Sequence, residues 1–226
     1  MKAAIVPIKS LAAGKSRLEG ALDREQLEAL CLAMMRDVVS ALLESHAFDR
    51  VVVVTPDEEA AEAARRMGAE ALLGPDPGLN PAIESASERL ADEGATLVMT
   101  VLGDVAAADP ADFARLVVET EALADQAGGK AVGLAPVADG GTAALVRRPP
   151  DVIEACFGAD SAARHRATCE EAGVALCEPD LPSLHLDLDR VADVEDFLAT
   201  GRGGPRTRAA LDAIGWRTLV EEDPER

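Results

Sequence analysis

Three aspartates are placed by sequence to hold a divalent cation: Asp104, Asp187 and Asp189. Asp104 ends TLVMTVLGD, an apolar run that reads as a buried central strand, and it follows Gly103, which permits close backbone approach. Asp187 and Asp189 alternate in SLHLDLD, which reads as a late strand. Period two would set both carboxylates on one side and Leu184, Leu186 and Leu188 on the other. At the N-terminus, MKAAIVPIKSLAAGKSRL holds three of the four lysines, Lys2, Lys9 and Lys15, with Ser16 and Arg17 and no acidic residue. AIVPI reads as a strand and SLAAGKSRL as the loop leaving it. A glycine-containing cationic loop after a first strand can cradle a polyphosphate. Carboxylates converging beside such a loop suit Mg²⁺, which takes one or two carboxylates plus substrate phosphates. Each feature has a plainer reading. Terminal lysines aid solubility, Arg17 can pair with Glu19, and aspartates often cap turns or line a solvated strand face. The loop also lacks P-loop spacing. The joint occurrence favours the metal and phosphate reading.

Further polar residues fall at the same kind of position. Asn80 follows the turn-rich GPDPGLNP after the third strand. Thr142 leaves the glycine turn ADGGT. In FGADSAARH, Gly158 and Ser161 stand at a helix start, where backbone amides favour an anion, although Asp160 or Ser161 as a simple cap explains the pattern equally. His165 lies inside that helix and reads as structural. No Ser/His/Asp or Cys/His arrangement is legible, so covalent catalysis is not expected.

The elements that must deliver these residues alternate strand with helix almost throughout. REQLEALCLAMMRDVVSALLE is a long amphipathic helix. VVVVT is a buried strand, followed by the helix DEEAAEAARRMG, the short strand EALL, and the helix AIESASERLADEG. After the central strand, Asp109-Pro110 opens a further helix. The order predicts an α/β fold, with a doubly wound, mostly parallel sheet between two helical layers. AVGLAP and TAALVRR, joined across DGG, predict a hairpin-like antiparallel excursion. Residues 1–200 read as one domain, and 201–226 as a C-terminal helix with a frayed tail.

Composition narrows the function. The net charge of -19 and 2% aromatic content leave no basic face for nucleic acid and no stacking platform. The same charge disfavours anionic membranes. An anionic ligand therefore needs a local cationic loop or a metal. Cys31, Cys156, Cys169 and Cys177 show no metal-binding spacing and read as buried thiols of a reducing, cytoplasmic compartment. No apolar run approaches a membrane span.

Taken in order, VPIKSLAAGKSRL, PGLNPAI, the GD ending the central strand, DGGTAAL, FGADSAARH and LDLD resemble the phospholactate guanylyltransferase family of deazaflavin coenzyme (F-420) biosynthesis, called CofC or FbiD. The resemblance spans roughly residues 4 to 198. It implies a nucleotide-diphospho-sugar transferase-like, Rossmann-like fold. It also implies Mg²⁺-dependent transfer of GMP from GTP to the phosphate of phosphoenolpyruvate or 2-phospho-L-lactate, with release of pyrophosphate. Position by position, Asp104 and Asp187, with Asp189, match its metal ligands. Thr142, Gly158 and Ser161 match the residues holding the acceptor phosphate. Lys9, Lys15, Ser16 and Arg17 match the nucleotide loop, Lys15 and Arg17 facing the departing pyrophosphate, and Asn80 matches a nucleotide-side residue. A homodimer and a downstream enzyme that accepts the guanylylated product fit the same picture. The chain departs from the family at Val105-Ala106-Ala107-Ala108, where a Leu-Pro pattern is usual, and at Ala143. The first departure suggests a less rigid loop beside the metal, and both leave acceptor identity open. Two other readings remain: a molybdenum-cofactor type of nucleotidyltransferase, and a non-catalytic nucleotide-binding regulator.

Overall fold

A computed structural model describes residues 1–11, 18 and 20–222. Among these residues the chain builds seven strands: β1 (Lys2–Pro7), β2 (Arg50–Thr55), β3 (Glu70–Leu73), β4 (Leu97–Val101), β5 (Ala131–Pro136), β6 (Thr142–Arg148) and β7 (Ala175–Cys177). They form one sheet in the order β3-β2-β1-β4-β6-β5-β7. β6 alone runs antiparallel, wedged between β4 and β5. The predicted excursion across DGG is therefore present, with its return strand inserted into the sheet.

Eight helices follow the strands: α1 (Arg24–Glu44), α2 (Glu58–Arg66), α3 (Leu79–Asp92), α4 (Pro110–Gln126), α5 (Ser161–Ala172), α6 (Val191–Thr200), α7 (Pro205–Ile214) and α8 (Trp216–Glu222). Strand alternation sorts them into two layers. Ala4 and Val6 of β1 join the core formed with α1, α2 and α4, whereas Ala3 and Ile5 face the opposite core with Ala86 and Leu90 of α3. α5 covers that second face through Ala162 and Cys169. Helix starts follow local chemistry. Asp23 closes a capping box with Gln26, Asp57 accepts the amides of Glu59 and Ala60, and Asp109 caps α4 ahead of Pro110.

The C-terminal helices are seated on α1 by a carboxylate from the core domain. α7 starts after Gly204, which has no side chain to cap with. Asp37 of α1, only 5% exposed, accepts the Arg206 amide at 3.2 Å and the Thr207 amide and hydroxyl at 2.7 and 2.8 Å. A capping group supplied from another helix fixes the segment against α1. Trp216 completes the contact, 1% exposed, with its indole N–H donating to Glu195 at 2.6 Å.

Candidate active site

Asp104 leaves the end of β4, and Gly103 before it faces the Ile8 side chain beyond the end of β1, whose tip a Cβ at Gly103 would displace. Asp104, Asp187 and Asp189 converge, offering carboxylate oxygens that all lie within 4.8 Å of one another. The route differs from the expected strand. Residues 183–189 form no strand. A 3₁₀ turn (Pro182–Leu184) leads into irregular chain that makes one backbone bond to the β4 end, from the Leu188 amide to the Asp104 carbonyl at 3.2 Å. Both edges of β4 are already taken by β1 and β6, so no edge is open there for a further strand. Leu184 and Leu188, both fully buried, anchor the segment in two different cores while Leu186 is only partly buried. The set is all carboxylate, half-buried and free of His or Cys, which suits a hard cation such as Mg²⁺ and not a soft one. The neighbouring Val105–Ala108 segment is packed: Val105 and Ala106 are buried, a Cβ at Gly203 would clash with the Ala107 backbone, and one at Gly204 with the Phe197 ring. The C-terminal segment thus lies directly against this loop.

On the β1 side of Asp104 a cavity of about 280 Å³ opens between Pro7, Ile8 and Lys9, the ends of β2 and β3, the Gly74–Gly78 loop and one face of α3. Exposed Lys9 lines it. The Leu11 amide bonds to Asp57 at 3.2 Å, tethering the start of the cationic loop to the α2 cap. Lys15, Ser16 and Arg17 lie outside the described residues. Lys2 does not belong to this group: it sits at the opposite end of β1 and pairs with Glu121 at 3.1 Å.

On the other side of Asp104 lies Thr142. The Leu102 amide donates to the Ala143 carbonyl at 3.0 Å, so Asp104 and Thr142 emerge from neighbouring strands at one rim. The hydroxyl of Ser161 donates to that of Thr142 at 2.9 Å, and His165 Nδ1 lies 3.1 Å from the same oxygen. All three residues are buried. Gly158 carries φ +124, a conformation that side-chain-bearing residues rarely adopt. The capping alternative for α5 does not hold. Asp160 is left-handed at φ 51 and its side chain makes no capping bond, while the Ser161 hydroxyl turns to Thr142.

The chain leading to Gly158 is fixed by three consecutive amides, each bonded to a side chain. Ala155 donates to Glu84 at 2.8 Å, Cys156 to His165 Nε2 at 3.0 Å, and Phe157 to Asn80 Oδ1 at 2.8 Å. Asn80 closes a second bond, from Nδ2 to the Phe157 carbonyl at 3.1 Å. Its amide thus spans from α3, whose neighbouring face lines the cavity, to the Gly158 loop. Glu84, one helical turn on, also pairs with Arg147 at 2.7 Å, and Arg147 is fully buried. Burial pulls the Arg147 guanidinium below its usual range, opposed by Glu84. Sequence reasoning missed Glu84 and Arg147, although their polar types inside an amphipathic helix and a buried strand were a signal. It gave His165 only a structural role.

Across the rim, then, come a cavity, the start of a cationic loop, a carboxylate cluster, and a hydroxyl pocket bordered by glycine. Such an order can seat a nucleotide, a divalent cation and a second phosphate in a row. A family model described as guanylyl transferase, CofC like, matches residues 1–226. The phosphoenolpyruvate guanylyltransferase of Sphaerobacter thermophilus is 37% identical over 197 residues, covering 86% of this chain and 91% of that protein. The 3-phospho-D-glycerate guanylyltransferase of Colwellia psychrerythraea is 29% identical over 191 residues, covering 84% and 88%. Among solved structures, a protein from Desulfovibrio desulfuricans G20 assigned to the nucleotide-diphospho-sugar transferases superimposes with a TM-score of 0.69 at 14% identity, covering 94% of this chain and 96% of that one. That likeness shows the fold. The match along the whole chain shows the family: this protein is a nucleotidyltransferase belonging to the CofC-like guanylyl transferases.

Proposed function

We propose that the protein transfers GMP from GTP to the phosphate of phosphoenolpyruvate, releasing pyrophosphate, as a step of deazaflavin coenzyme synthesis. The observation that carries this reading is the rim order, with the carboxylate cluster standing between the cavity at the ends of β1, β2 and β3 and the Thr142–Ser161 pocket. Similarity to a phosphoenolpyruvate guanylyltransferase supports the acceptor. A second acceptor, 3-phospho-D-glycerate, has its own support in the Colwellia relative.

The chemistry asks little of proton transfer. An acceptor phosphate is already a competent nucleophile at neutral pH, and the described imidazole at the rim, that of His165, is engaged on both nitrogens. What remains is placement and charge neutralisation. Asp104, Asp187 and Asp189 would hold Mg²⁺, which supplies charge neutralisation for the nucleotide phosphates and the entering phosphate oxygen. The cavity walls at Pro7–Lys9 and Gly74–Leu79 would hold the base and ribose. Lys15, Ser16 and Arg17 are assigned to the β- and γ-phosphates, where cations favour pyrophosphate departure. Thr142, Gly158 and Ser161 would hold the acceptor phosphate. The test is pyrophosphate release from GTP and Mg²⁺ with phosphoenolpyruvate, 2-phospho-L-lactate and 3-phospho-D-glycerate tried separately. The reading expects release that depends on phosphoenolpyruvate. Release with none of the three, although GTP binds, would sink it.

A further inference from the structure

The donors and acceptors around His165 fix its tautomer and the direction of its bond to Thr142. The Cys156 backbone amide can only donate, so His165 Nε2, 3.0 Å away, must accept and carries no proton. A neutral imidazole with a bare Nε2 carries its proton on Nδ1. That N–H points at Thr142 Oγ1, 3.1 Å away. Ser161 donates its hydroxyl to the same oxygen. Thr142 Oγ1 therefore accepts twice, and among the described residues no acceptor takes its hydrogen.

The first two amides of α5 are committed within the chain: the Ser161 amide donates to the Gly158 carbonyl at 3.2 Å, and the Ala162 amide to the Gly140 carbonyl at 3.1 Å. The Thr142 hydroxyl keeps a hydrogen to give. We propose that His165 is a positioning residue for acceptor binding: as the Nδ1–H tautomer it donates to Thr142 Oγ1 and so directs the Thr142 hydroxyl hydrogen at the acceptor phosphate. The proposal rests on the reading that Thr142 meets that phosphate.

The surroundings keep the imidazole neutral. The ring is fully buried, it stands edge-on to Phe157 at 5.4 Å, and the charged groups facing it are Arg147 from β6 and Arg164 from its own helix. Burial, then these two cations, hold its pKa down at about 4. A protonated His165 would have to break the Cys156 bond, which locks the approach to Gly158.

The experiment compares wild type with His165→Ala, His165→Asn, Thr142→Val and the Thr142→Val/His165→Ala double variant. Pyrophosphate release gives kcat and the KM of each substrate. In parallel, long-range ¹H–¹⁵N NMR of wild type reads the imidazole tautomer, with only three histidines to assign. His165→Ala is expected to raise the acceptor KM about tenfold and leave the GTP KM unchanged, the size of one lost hydrogen bond. Asn, whose side-chain amide can donate from near the Nδ1 position, should recover most of that loss. In the Thr142→Val background, removing His165 should add nothing further. The NMR should show Nδ1–H. An Nε2–H tautomer, additive effects, no recovery by Asn, or equal rises in both KM values would overturn the proposal. An active wild type with an unaltered His165→Ala sinks this inference alone. A wild type that makes no acceptor-dependent pyrophosphate sinks the functional reading and the role of His165 with it.

Discussion

Replacing Glu84 by alanine removes two bonds with one carboxylate. Its Oε1 meets Arg147 at 2.7 Å and the Ala155 amide at 2.8 Å. Arg147 is fully buried in β6, and its other partners, the Ile153 carbonyl and the Ser87 hydroxyl, are neutral. Without Glu84 the buried guanidinium loses its hydrogen-bonded counter-charge and keeps only the weaker influence of Asp151, a change that costs roughly 3–5 kcal/mol for buried pairs. Because the Glu84 side chain keeps 30% of its exposure, the lower end applies, about 3 kcal/mol. At roughly 2–4 °C per kcal/mol for a chain of this size, Tm should fall by about 6–12 °C. Glu84→Gln keeps an oxygen in place and loses only the charge, so it should fall less. The same substitution frees the Ala155 amide, the first of the three that fix the Gly158 loop. The acceptor KM should therefore rise in Glu84→Ala while the GTP KM holds. Differential scanning calorimetry and pyrophosphate release read the two effects. A Tm within roughly 2 °C of wild type would refute the claim that Glu84 neutralises Arg147.

Three further outcomes are expected. Asp104→Asn should lower kcat by about 10²–10³ and abolish the thermal stabilisation that Mg²⁺ gives wild type, both measured on the same preparation. Asp37→Ala should release the α7 start. Four hydrogen bonds to a carboxylate are lost, worth about 1.5–3 kcal/mol for the strongest alone. The buried indole of Trp216, the chain's single tryptophan, should then redden in fluorescence at a lower denaturant concentration than in wild type. His165 has its folded pKa depressed from 6.5 to about 4, so the unfolded chain binds a proton that the folded one refuses. Stability should be full above pH 6.5 and fall between pH 6.5 and 4, and His165→Asn should lose less over that window when melted at each pH.

Much of the site was legible because residue type and strand ends go together. β4 is apolar but for Thr100 and the chain leaves it through Gly103-Asp104, so the placement of that carboxylate followed from buried-strand logic alone. The reversal at β6 was legible in DGG, a turn that parallel crossovers do not use. SLHLDLD was misread because alternation alone cannot say whether a sheet edge is available to pair with. β1 and β6 occupy both edges of β4, and the segment settles as a loop whose leucines reach separate cores. The two aspartates still converge. Leu188 between them is held from both sides, by its side chain and by its amide. His165 was undervalued for another reason. Its partners, the Cys156 amide and Thr142, lie nine and twenty-three residues away, and one of them is backbone, so no side-chain pattern announces the pairing. Asn80 was matched to a nucleotide-side residue through the family resemblance, its position after the third strand placing it at the rim. The structure shows it bonded to Phe157, at the seam between cavity and acceptor loop.

The two halves of the rim stand on different foundations, and this bears on the C-terminal segment. The Thr142–Ser161 pocket is braced by α3 and α5 on one face of the sheet. The three clustered carboxylates depend on the other foundation. Leu188, between Asp187 and Asp189, packs with Ala106, Val194, Phe197, Leu211 and Trp216, which come from the loop after Asp104 and from α6, α7 and α8. Gly203 and Gly204 take left-handed conformations against the backbone of Ala106 and Ala107, where any side chain would clash. The residues after 200 therefore form the floor beneath the carboxylate cluster. Like charges repel more strongly as they approach. A backbone that cannot retreat helps to keep the three carboxylates together. α7, locked to α1 through Asp37, is what prevents Leu188 and the Ala106 loop from retreating. The loop beside the carboxylates is thus crossed by a glycine turn that lies against the backbone of Ala107 and the ring of Phe197, and a side chain at Gly203 or Gly204 would lift that turn from its seat.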